Sequence, residues 1–397
     1  MALRYFDSFD RGLTSGTPSG KAWPSVQIPL AVTSPVHIGG QSITMNDTPH
    51  VCIMGDFARG RVVGSQGAGD FDEADLYLSF YLLRDASTTL DDRICKFGWQ
   101  DTSILQPKTV LKWGSSNVIK LNDTEFGSGT DIEVGTTQLN ADQWYRIDMY
   151  VGTGTSANYE VRIDGVIELS GTANFGTNNT DAIEFHTLTG YNHYIDDVVI
   201  DDAAFHSLGN EYFIVPLYPN GNGNYTSWTG AYTDVDDHPE YDTWGTVIST
   251  TSNGNAETVA LDSLPGYVDA GDIVDAVLFG GAIRKDTNPD VACVMRDRLG
   301  STDRDTSSFL LEKDPGSGNY RNVSWLEIYT TDPSSNAWTQ SNVNSWEIGL
   351  VHAQAQSRTI ECTILSANVL LTRPAVSSFE ASIPSIYKPM RHPLLRM

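Results

Sequence analysis

The stretch QWYRIDMYVGTGTSANYEVRIDGVI, residues Gln143–Ile167, indicates the fold of this chain. Its first part alternates polar with apolar side chains from Trp144 to Met149, which is the two-residue period of a strand with one face in a core. Its second part ends in the pair Asp164-Gly165, a strong short-range signal for a tight turn in which glycine supplies the unusual backbone angle. The stretch therefore predicts two amphipathic strands joined by a small polar turn.

Short apolar runs with a similar cadence fill the rest of the chain, and Gly, Asn, Asp or Ser punctuates nearly every gap. This spacing is typical of a β-sandwich or barrel. Residues 76–83, LYLSFYLL, are apolar on both faces, which predicts a central strand covered on both sides. Residues 159–169 are a strand-like run that contains the Asp164-Gly165 turn. Residues 10–49 are rich in turn-forming residues and are expected to be a long surface excursion, and the Gly/Asn-rich run that begins at Pro219 is expected to be a loop.

The chain has 397 residues, too many for one ordinary core. The run YIDDVVI at 194–200 closes the first half and is expected to pair with the opening strand at 4–9. We therefore predict an all-β protein with two antiparallel β-sandwich (jelly-roll) domains in tandem, at 1–207 and 208–378. A short extended C-terminal arm, residues 379–397, follows them, because its prolines block regular sheet and helix.

The chain is strongly acidic, with a formal net charge of −25. Phosphate affinity depends on Lys and Arg, so this balance argues against nucleic acid and anionic membranes as partners. No stretch approaches the roughly 20 apolar residues of a membrane span, and no membrane insertion is expected. The N-terminus reaches a charge at Arg4 without an apolar signal-sequence run, which predicts cytoplasmic synthesis without a signal peptide.

The four cysteines show no metal-ligand spacing. Each of them, Cys52, Cys95, Cys293 and Cys362, lies in an apolar, strand-like context. This context favours buried free thiols, with a disulfide inside either half as the alternative.

The stretch Gln143–Ile167 resembles concanavalin A-like (laminin G-like) jelly-roll domains in its Trp-led strand and its Asp-Gly turn. The first half as a whole, which opens with RYFDSF and closes with YIDDVVI, resembles the laminin G-like domains of phage structural proteins. The second half carries YTSWTG at 225–230, DVDDHPEYDTW at 234–244, and TDPSSNAWT at 331–339 before VNSWEIGLVHA. These segments resemble a module of the virion proteins of tailed bacteriophages.

The resemblance implies a structural component of a tailed phage or phage-like virion, made in the host bacterial cytoplasm. Such a protein would be a capsid decoration, a head fibre or a tail-associated (tail fibre) protein. Its partners would be other virion proteins and further copies of itself, with a homo-oligomer expected and a trimer favoured. The alternative is a lectin-like receptor-recognition module that binds host-surface glycan.

Familiar catalytic motifs are absent from the sequence. There is no G-x-S-x-G, no H-E-x-x-H and no phosphate-binding loop. Jelly-roll glycoside hydrolases resemble an E-x-D-x-E strand whose carboxylates share one face. The closest run here, residues 129–133, has Gly129 in place of the first Glu. We therefore expect that the chain is not an enzyme.

Calcium is the ion that the acidic residues favour, because it prefers several carboxylate and carbonyl oxygens. If the first and last strands of the first half pair, four carboxylates come close together, and turn capping is their alternative role. The candidate calcium ligands are Asp7, Asp10, Asp196 and Asp197.

Aromatic residues are dense at the start of the second half. They suit a contact with a partner subunit, the internal core, or the apolar face of a sugar. The candidate residues are Tyr225, Trp228, Tyr232, Tyr241 and Trp244.

The C-terminal arm is basic and carries apolar side chains that a free tail does not need. It is expected to be either a frayed tail or an assembly arm that docks on an acidic neighbour. The candidate docking residues are Tyr387, Lys388, Arg391, Leu394, Leu395 and Arg396.

Overall fold

A computed structural model describes residues 3–7, 30–32, 37, 42–45, 50–54, 75–86, 93–101, 104–123, 129–180, 182–186, 193–236, 246–285, 291–311, 323–354 and 359–375. The predicted arm at 379–397 lies outside these ranges, as do the candidate site residues Asp10, Tyr241 and Trp244.

The described residues of the first half form fourteen strands. They are β1 (Leu3–Asp7), β2 (Leu30–Val32), β3 (Ser42–Met45), β4 (His50–Met54), β5 (Leu76–Arg84), β6 (Arg93–Asp101), β7 (Ile104–Trp113), β8 (Ile119–Asn122), β9 (Asp131–Val134), β10 (Trp144–Val151), β11 (Ala157–Ile163), β12 (Val166–Ala173), β13 (Ala182–His186) and β14 (His193–Asp201).

In the second half, the part of the chain that the structure describes forms eleven strands. They are β15 (Glu211–Leu217), β16 (Pro219–Thr226), β17 (Ile248–Thr250), β18 (Ala256–Leu261), β19 (Ile273–Lys285), β20 (Val291–Leu299), β21 (Thr302–Asp305), β22 (Phe309–Leu311), β23 (Val323–Tyr329), β24 (Trp346–His352) and β25 (Ile360–Arg373). The helical turns of the described residues are short: Ser115–Asn117, Tyr232–Asp234 and α1 (Gln340–Val343).

The first fourteen strands form two facing antiparallel sheets. One sheet has the order β12-β11-β10-β5-β14-β3-β2, with β1 also paired to β14, and the other has the order β4-β13-β6-β7-β8-β9. The apolar side chains of β10, such as Ile147 and Met149, are fully buried between the sheets. The predicted hairpin pairs Ile147 with Ile163 and Val151 with Tyr159.

The last eleven strands form a second pair of sheets. One has the order β15-β25-β19-β23 with β17 also on β25, and the other has the order β16-β18-β24-β20-β21 with β22 also on β20. Phe279, Trp338 and Trp346 lie in the core between them. The predicted fold class is confirmed: the protein is all-β, with two antiparallel β-sandwiches in tandem. The predicted boundary at residue 207 falls between β14 and β15.

The local predictions are only partly correct. Residues 219–226, PNGNGNYT, form the edge strand β16 rather than a loop. Glycine is required at position 223, because a Cβ built on Gly223 would overlap the side chains of Thr258 and Glu347. The strand-like run 159–169 forms parts of two strands, and the predicted turn is confirmed there, since Asp164 and Gly165 both have positive φ, 49° and 79°. Strands β2 and β3 lie inside the predicted surface excursion at 10–49.

The predicted pairing of the first and last strands of the first half is confirmed. Strand β1 pairs antiparallel with β14, and Asp7 lies opposite Val198. The predicted central strand is confirmed as well, because β5 lies between β10 and β14. Among the described residues no helix is long and apolar enough to cross a membrane.

Candidate functional site

The outer face of the first sandwich is polar where β5 and β10 run side by side. The register places Tyr81 opposite Arg146, Ser79 opposite Asp148, and Tyr77 opposite Tyr150. Since side chains alternate along a strand, these residues point away from the core that Ile147 and Met149 fill. The Ser79 hydroxyl donates to Asp148 Oδ1 at 2.6 Å.

Arg146 fastens this face to the segment that connects the two sandwiches. Its Nε and Nη2 donate to Asp148 Oδ1 at 2.9 and 2.8 Å. Its Nη1 donates to the carbonyl oxygens of Ser207 and Asn210 at 3.1 and 2.6 Å. Its guanidinium also lies 4.8 Å from the ring centre of Tyr212. Burial disfavours the charge, but the attraction of Asp148 outweighs burial and raises the pKa of Arg146.

Asp197 connects the last strand of the first sandwich to the first strand of the second. It has a positive φ of 46° and lies at an irregularity in the β14 register. Its Oδ1 accepts from the backbone N–H of Ile214 at 2.9 Å, and its carbonyl oxygen accepts from the Tyr212 hydroxyl at 2.9 Å. The Tyr212 N–H donates to the Tyr81 hydroxyl at 3.3 Å. A buried polar network therefore joins the two sandwiches.

His37 completes this network from the N-terminal segment. Its Nδ1 lies 3.0 Å from Asp197 Oδ2, and its Nε2 lies 3.6 Å from Glu211 Oε1 at the start of β15. Its ring stacks on Tyr81 with the ring centres 3.5 Å apart. Its backbone N–H donates to Asp196 Oδ2 at 3.0 Å. His37 thus contacts both sandwiches at their junction.

Two buried histidines give the folded protein opposite pH dependences. Burial lowers the pKa of His193 from 6.5 to about 3, so only the unfolded chain takes up this proton and stability rises with pH up to about 6.5. Burial also opposes a charge on His37, but Asp197 and Glu211 outweigh burial and raise its pKa above 6.5. The stabilisation from His37 is therefore fully present below pH 6.5 and is lost as the pH rises through the folded pKa.

We expect the free energy of unfolding to be highest near pH 6.5 and to fall above it, by at most about 1.4 kcal/mol per pH unit for one proton. Urea unfolding between pH 5 and 8.5 measures this profile. His37→Gln should remove the fall above pH 6.5, while His193→Gln should remove the rise below it. An undiminished fall above pH 6.5 in His37→Gln would contradict the assignment.

The predicted calcium ligands are only partly within the described residues. The oxygens of Asp196 accept from the N–H groups of Asp197 and His37, and those of Asp197 accept from Ile214 and His37. These bonds correspond to the capping alternative for this pair. No group of three or more potential metal-ligating side chains occurs among the described residues. For Asp7, whose backbone lies at the end of β1 opposite Val198, calcium binding stays a prediction.

The predicted aromatic cluster of the second half divides between core and surface. Trp228 is 6% exposed and packs in the second core, with Nε1 donating to the carbonyl oxygen of Asn255 at 3.2 Å. Tyr232 is half-buried against the same core. Tyr225 points instead to the outer face of the second sandwich. Of the alternatives left open by the sequence, Trp228 therefore takes the internal core.

Tyr225 belongs to a ladder of charged side chains on this outer face. The guanidinium groups of Arg296 and Arg298 lie 5.0 and 5.2 Å from its ring centre. Its hydroxyl donates to Asp303 at 2.6 Å. Arg296 also pairs with Asp305 through two bonds of 2.6 and 2.8 Å. The ladder presents an aromatic ring from β16, two cations from β20 and two carboxylates from β21 on one face of the sheet.

The segment TDPSSNAWT has a structural role in this fold. Asp332 Oδ1 accepts from the N–H groups of Ser334 and Asn336, both at 2.9 Å, and so closes the turn. The Arg304 guanidinium donates to the carbonyl oxygen of Thr331 at 2.7 Å and to Asp297 Oδ2 at 2.7 Å. Trp338 of this segment meets Trp346 edge to face in the core. These residues shape the second sandwich.

The cysteine prediction is confirmed where the structure describes the side chains. Cys95, Cys293 and Cys362 are buried free thiols. Burial raises the pKa of each thiol, to about 12 for Cys293, so these groups stay protonated and unreactive at neutral pH.

Neither a protein-family model nor a curated protein matches the sequence. Solved structures do match. An endo-β-1,4-glucuronan lyase from Trichoderma reesei is 11% identical, covers 51% of this chain and 96% of its own, and has a TM-score of 0.35. The cellulose-induced protein Cip1 is 12% identical and has a TM-score of 0.36; the match covers 51% of this chain and 100% of Cip1. Domain 4 of the arabinanase AbnA from Geobacillus stearothermophilus, solved with arabinotriose, is 14% identical and has a TM-score of 0.31. The match covers 52% of this chain and 94% of the AbnA domain.

The prediction that the chain is not an enzyme is contradicted by these matches, which include a lyase and a domain of an arabinanase. At these identities and TM-scores, no substrate and no catalytic residue is transferred to this chain.

Proposed function

We propose that the chain is a structural component of a tailed-phage or phage-like virion, as a capsid decoration, a head fibre or a tail-associated protein. It acts through contacts with other virion proteins and with copies of itself, and a symmetric trimer is the favoured assembly. The phage-like sequence segments of the second half support this proposal, together with the joined architecture of the two sandwiches.

The observation that carries the proposal is the junction between the sandwiches. The apolar core of the first sandwich continues into the second through Tyr212, Ile214, Leu278 and Leu370, all buried. Above this contact lies the polar network of Arg146. A connection that is both apolar and hydrogen-bonded resists bending, because any rotation exposes apolar surface and unpaired buried polar groups. A stiff two-sandwich unit is suited to hold attached partners at a fixed distance.

Quantitative mass spectrometry of purified virions from the phage or phage-like element that encodes the protein tests this function. The number of copies per virion should equal the number of symmetry-equivalent positions at one site of the particle. A complementation experiment should then compare the full chain with a chain truncated at Glu380, which is expected to be incorporated poorly. Absence of the protein from purified particles would overturn the proposal. Normal incorporation of the truncated chain would overturn only the role of the arm.

Light scattering of the purified protein tests the oligomeric state. A trimer should have three times the chain mass of 43.4 kDa. A monomer at all concentrations would contradict self-assembly but leave attachment to other virion proteins open to the particle experiment.

The second candidate function is glycan recognition on the outer face of the second sandwich. Tyr225 favours it, because a partly exposed ring bordered by cations and carboxylates offers both a stacking surface and hydrogen-bonding groups. We expect Tyr225→Ala to weaken binding to host-surface polysaccharide about tenfold, as expected when one stacked ring is lost. Tyr225→Phe is the matched control, since it keeps the ring and removes only the hydroxyl, which bonds to Asp303 and Arg298. Equal binding by wild type and Tyr225→Ala in a pull-down with whole host cells would exclude this face.

A further inference from the structure

Exposed apolar side chains concentrate beside the junction. Six large hydrophobic side chains are exposed among the described residues. Four of them, at exposures of 71, 41, 41 and 53%, form a group that we call the junction collar: Val166, Leu208, Tyr267 and Ile273. Single exposed apolar side chains are ordinary, but a group of them on one region indicates a contact surface.

Backbone and side-chain contacts bring the collar residues together. Ile273 pairs with Thr372 on β25, and the Thr372 hydroxyl bonds to Ser207, the residue before Leu208. The carbonyl oxygen of Tyr267 accepts from Arg373 Nη2 at 3.1 Å. On the side of the first sandwich, Gly165 lies against Gly209, so the turn that carries Val166 meets the segment that carries Leu208. The collar therefore surrounds the end of β25.

The last described residues leave the second sandwich at this same place. Arg373 pairs with Glu211 in the sheet register, and the N–H of Ala375 donates to Asn210 Oδ1 at 3.0 Å. The C-terminal segment that follows, residues 376–397, therefore begins at the collar. At roughly 3.3–3.6 Å per extended residue its 22 residues can span about 70 Å, more than enough to fold back on it.

The surface around the collar is acidic. Four carboxylates lie there, from Glu211, Asp269, Asp272 and Asp275, and Arg373 is the cation that three of them share. Asp269 is 75% exposed and lies 3.6 Å from the Arg373 guanidinium, so most of its charge faces solvent. The region can therefore accept further positive charge.

The C-terminal segment has the complementary chemistry. Residues 381–397 contain no acidic residue, and the cations Lys388, Arg391 and Arg396 alternate with apolar side chains such as Tyr387 and Leu394. A segment tethered at the edge of its binding surface has a high effective concentration there, so modest contacts suffice to hold it.

We propose that the junction collar is the docking site of the chain's own C-terminal segment, with its apolar side chains on Leu208 and Ile273 and its cations beside Asp269 and Glu211. The bound segment would cover the seam between the two sandwiches. It would also hide apolar surface that otherwise favours association with unrelated proteins.

Limited trypsin digestion of the full-length native protein, followed by intact-mass measurement, tests this proposal. Cleavage after Arg391 releases residues 392–397, whereas Lys388 and Arg373 precede proline and resist trypsin. The collar variant Leu208→Ser/Ile273→Ser should be cleaved after Arg391 about tenfold faster than wild type. Loss of the two apolar contacts weakens docking of the segment, and a tenfold weaker docking equilibrium exposes the cleavage site about tenfold more often. Asp269→Lys should accelerate cleavage in the same direction.

Val134→Ser is the matched control, because Val134 is an exposed apolar residue outside the collar, on the edge strand β9. It should be cleaved at the wild-type rate. Exposed positions tolerate serine, and near-ultraviolet circular dichroism verifies that each variant is folded. Equal cleavage rates for wild type and the collar variant would overturn the proposal. Protection that grows with protein concentration, together with a dimer mass in light scattering, would also overturn it and would assign the collar to a second copy.

Discussion

Arg146→Met is expected to lower the free energy of unfolding by about 3–5 kcal/mol, the cost of removing one partner from a buried ion pair. Methionine keeps most of the apolar stem but leaves Asp148 without its cation. The Asp148 side chain is fully buried, its Oδ2 has no hydrogen-bond partner, and only the Ser79 hydroxyl would still donate to Oδ1. The carbonyl oxygens of Ser207 and Asn210 would lose a charged donor as well.

Urea unfolding monitored by circular dichroism measures this loss. A double-mutant cycle with Asp148→Asn identifies its cause, because the double variant no longer buries an unpaired charge. We expect it to be more stable than the sum of the single effects by about 1–3 kcal/mol. Arg162→Met is the matched control. Arg162 lies on the same outer face but is partly exposed and pairs with Glu160, so its removal should cost no more than about 1 kcal/mol.

The junction variant also tests the stiffness on which the proposed function depends. If Arg146 holds the connecting segment to the first sandwich, Arg146→Met should admit proteases to residues 202–210 before either sandwich unfolds. A variant that loses less than about 1 kcal/mol and stays resistant to proteases would show that the apolar contact alone fixes the two sandwiches.

The strand architecture was predictable because it depends on local periodicity. The stretch from Gln143 to Ile167 shows the two-residue alternation and the Asp-Gly turn, and the structure has β10, β11 and the turn into β12 there. The strand Glu211–Leu217 is equally clear in the sequence, since apolar residues dominate it and its neighbours are turn-forming. Such signals lie within a few residues of one another and do not require knowledge of the tertiary structure.

Strand β16 was not predictable for the opposite reason. Glycine and asparagine have low strand propensity, and nothing in PNGNGNYT alternates between apolar and polar. Its conformation is set by the partner strand β18 and by the side chains of Thr258 and Glu347, which occupy the space where a Cβ at Gly223 would lie. A glycine that is required by a neighbour distant in sequence leaves no local signal.

The junction between the sandwiches was likewise not predictable, although its key residues lie in Gln143–Ile167, where the strands were predicted correctly. Arg146 and Asp148 have the spacing of a solvent-facing strand surface, and the sequence alone gives no sign that residues 206–210 cover them. The opposite charges of Arg146 and Asp148 lie on one face of β10. They indicate a buried polar site only after the strand register is known, because the register shows that Tyr81 and Tyr212 lie close to them. The aromatic cluster shows the same limit, because Tyr225 and Trp228 are three residues apart and lie on opposite sides of their sheet.

Gly349→Ala is expected to cost more than about 3 kcal/mol, beyond the usual range for an overpacked site, and to prevent folding of the second sandwich at 37 °C. Gly349 lies in β24, opposite Thr258 on one side and Arg296 on the other. A Cβ built on it would overlap the carbonyl oxygen of Glu257. That atom belongs to the backbone of a central strand pair, so the overlap can be relieved only by separating β18 from β24.

Gly271→Ala is the control for this variant. A Cβ at Gly271 meets no atom within 4 Å, and alanine reduces the freedom of the unfolded chain, so stability should change by less than about 1 kcal/mol. Tryptophan fluorescence during urea unfolding reports on the second core, where Trp338 and Trp346 are in contact. If Gly349→Ala unfolded at the same urea concentration as Gly271→Ala, the close approach of β18 and β24 would be wrong. The charged ladder of Tyr225 depends on that approach, because β24 lies between β18, which pairs with the strand carrying Tyr225, and β20, which carries Arg296 and Arg298. Loss of the second sandwich should therefore abolish any binding at the outer face.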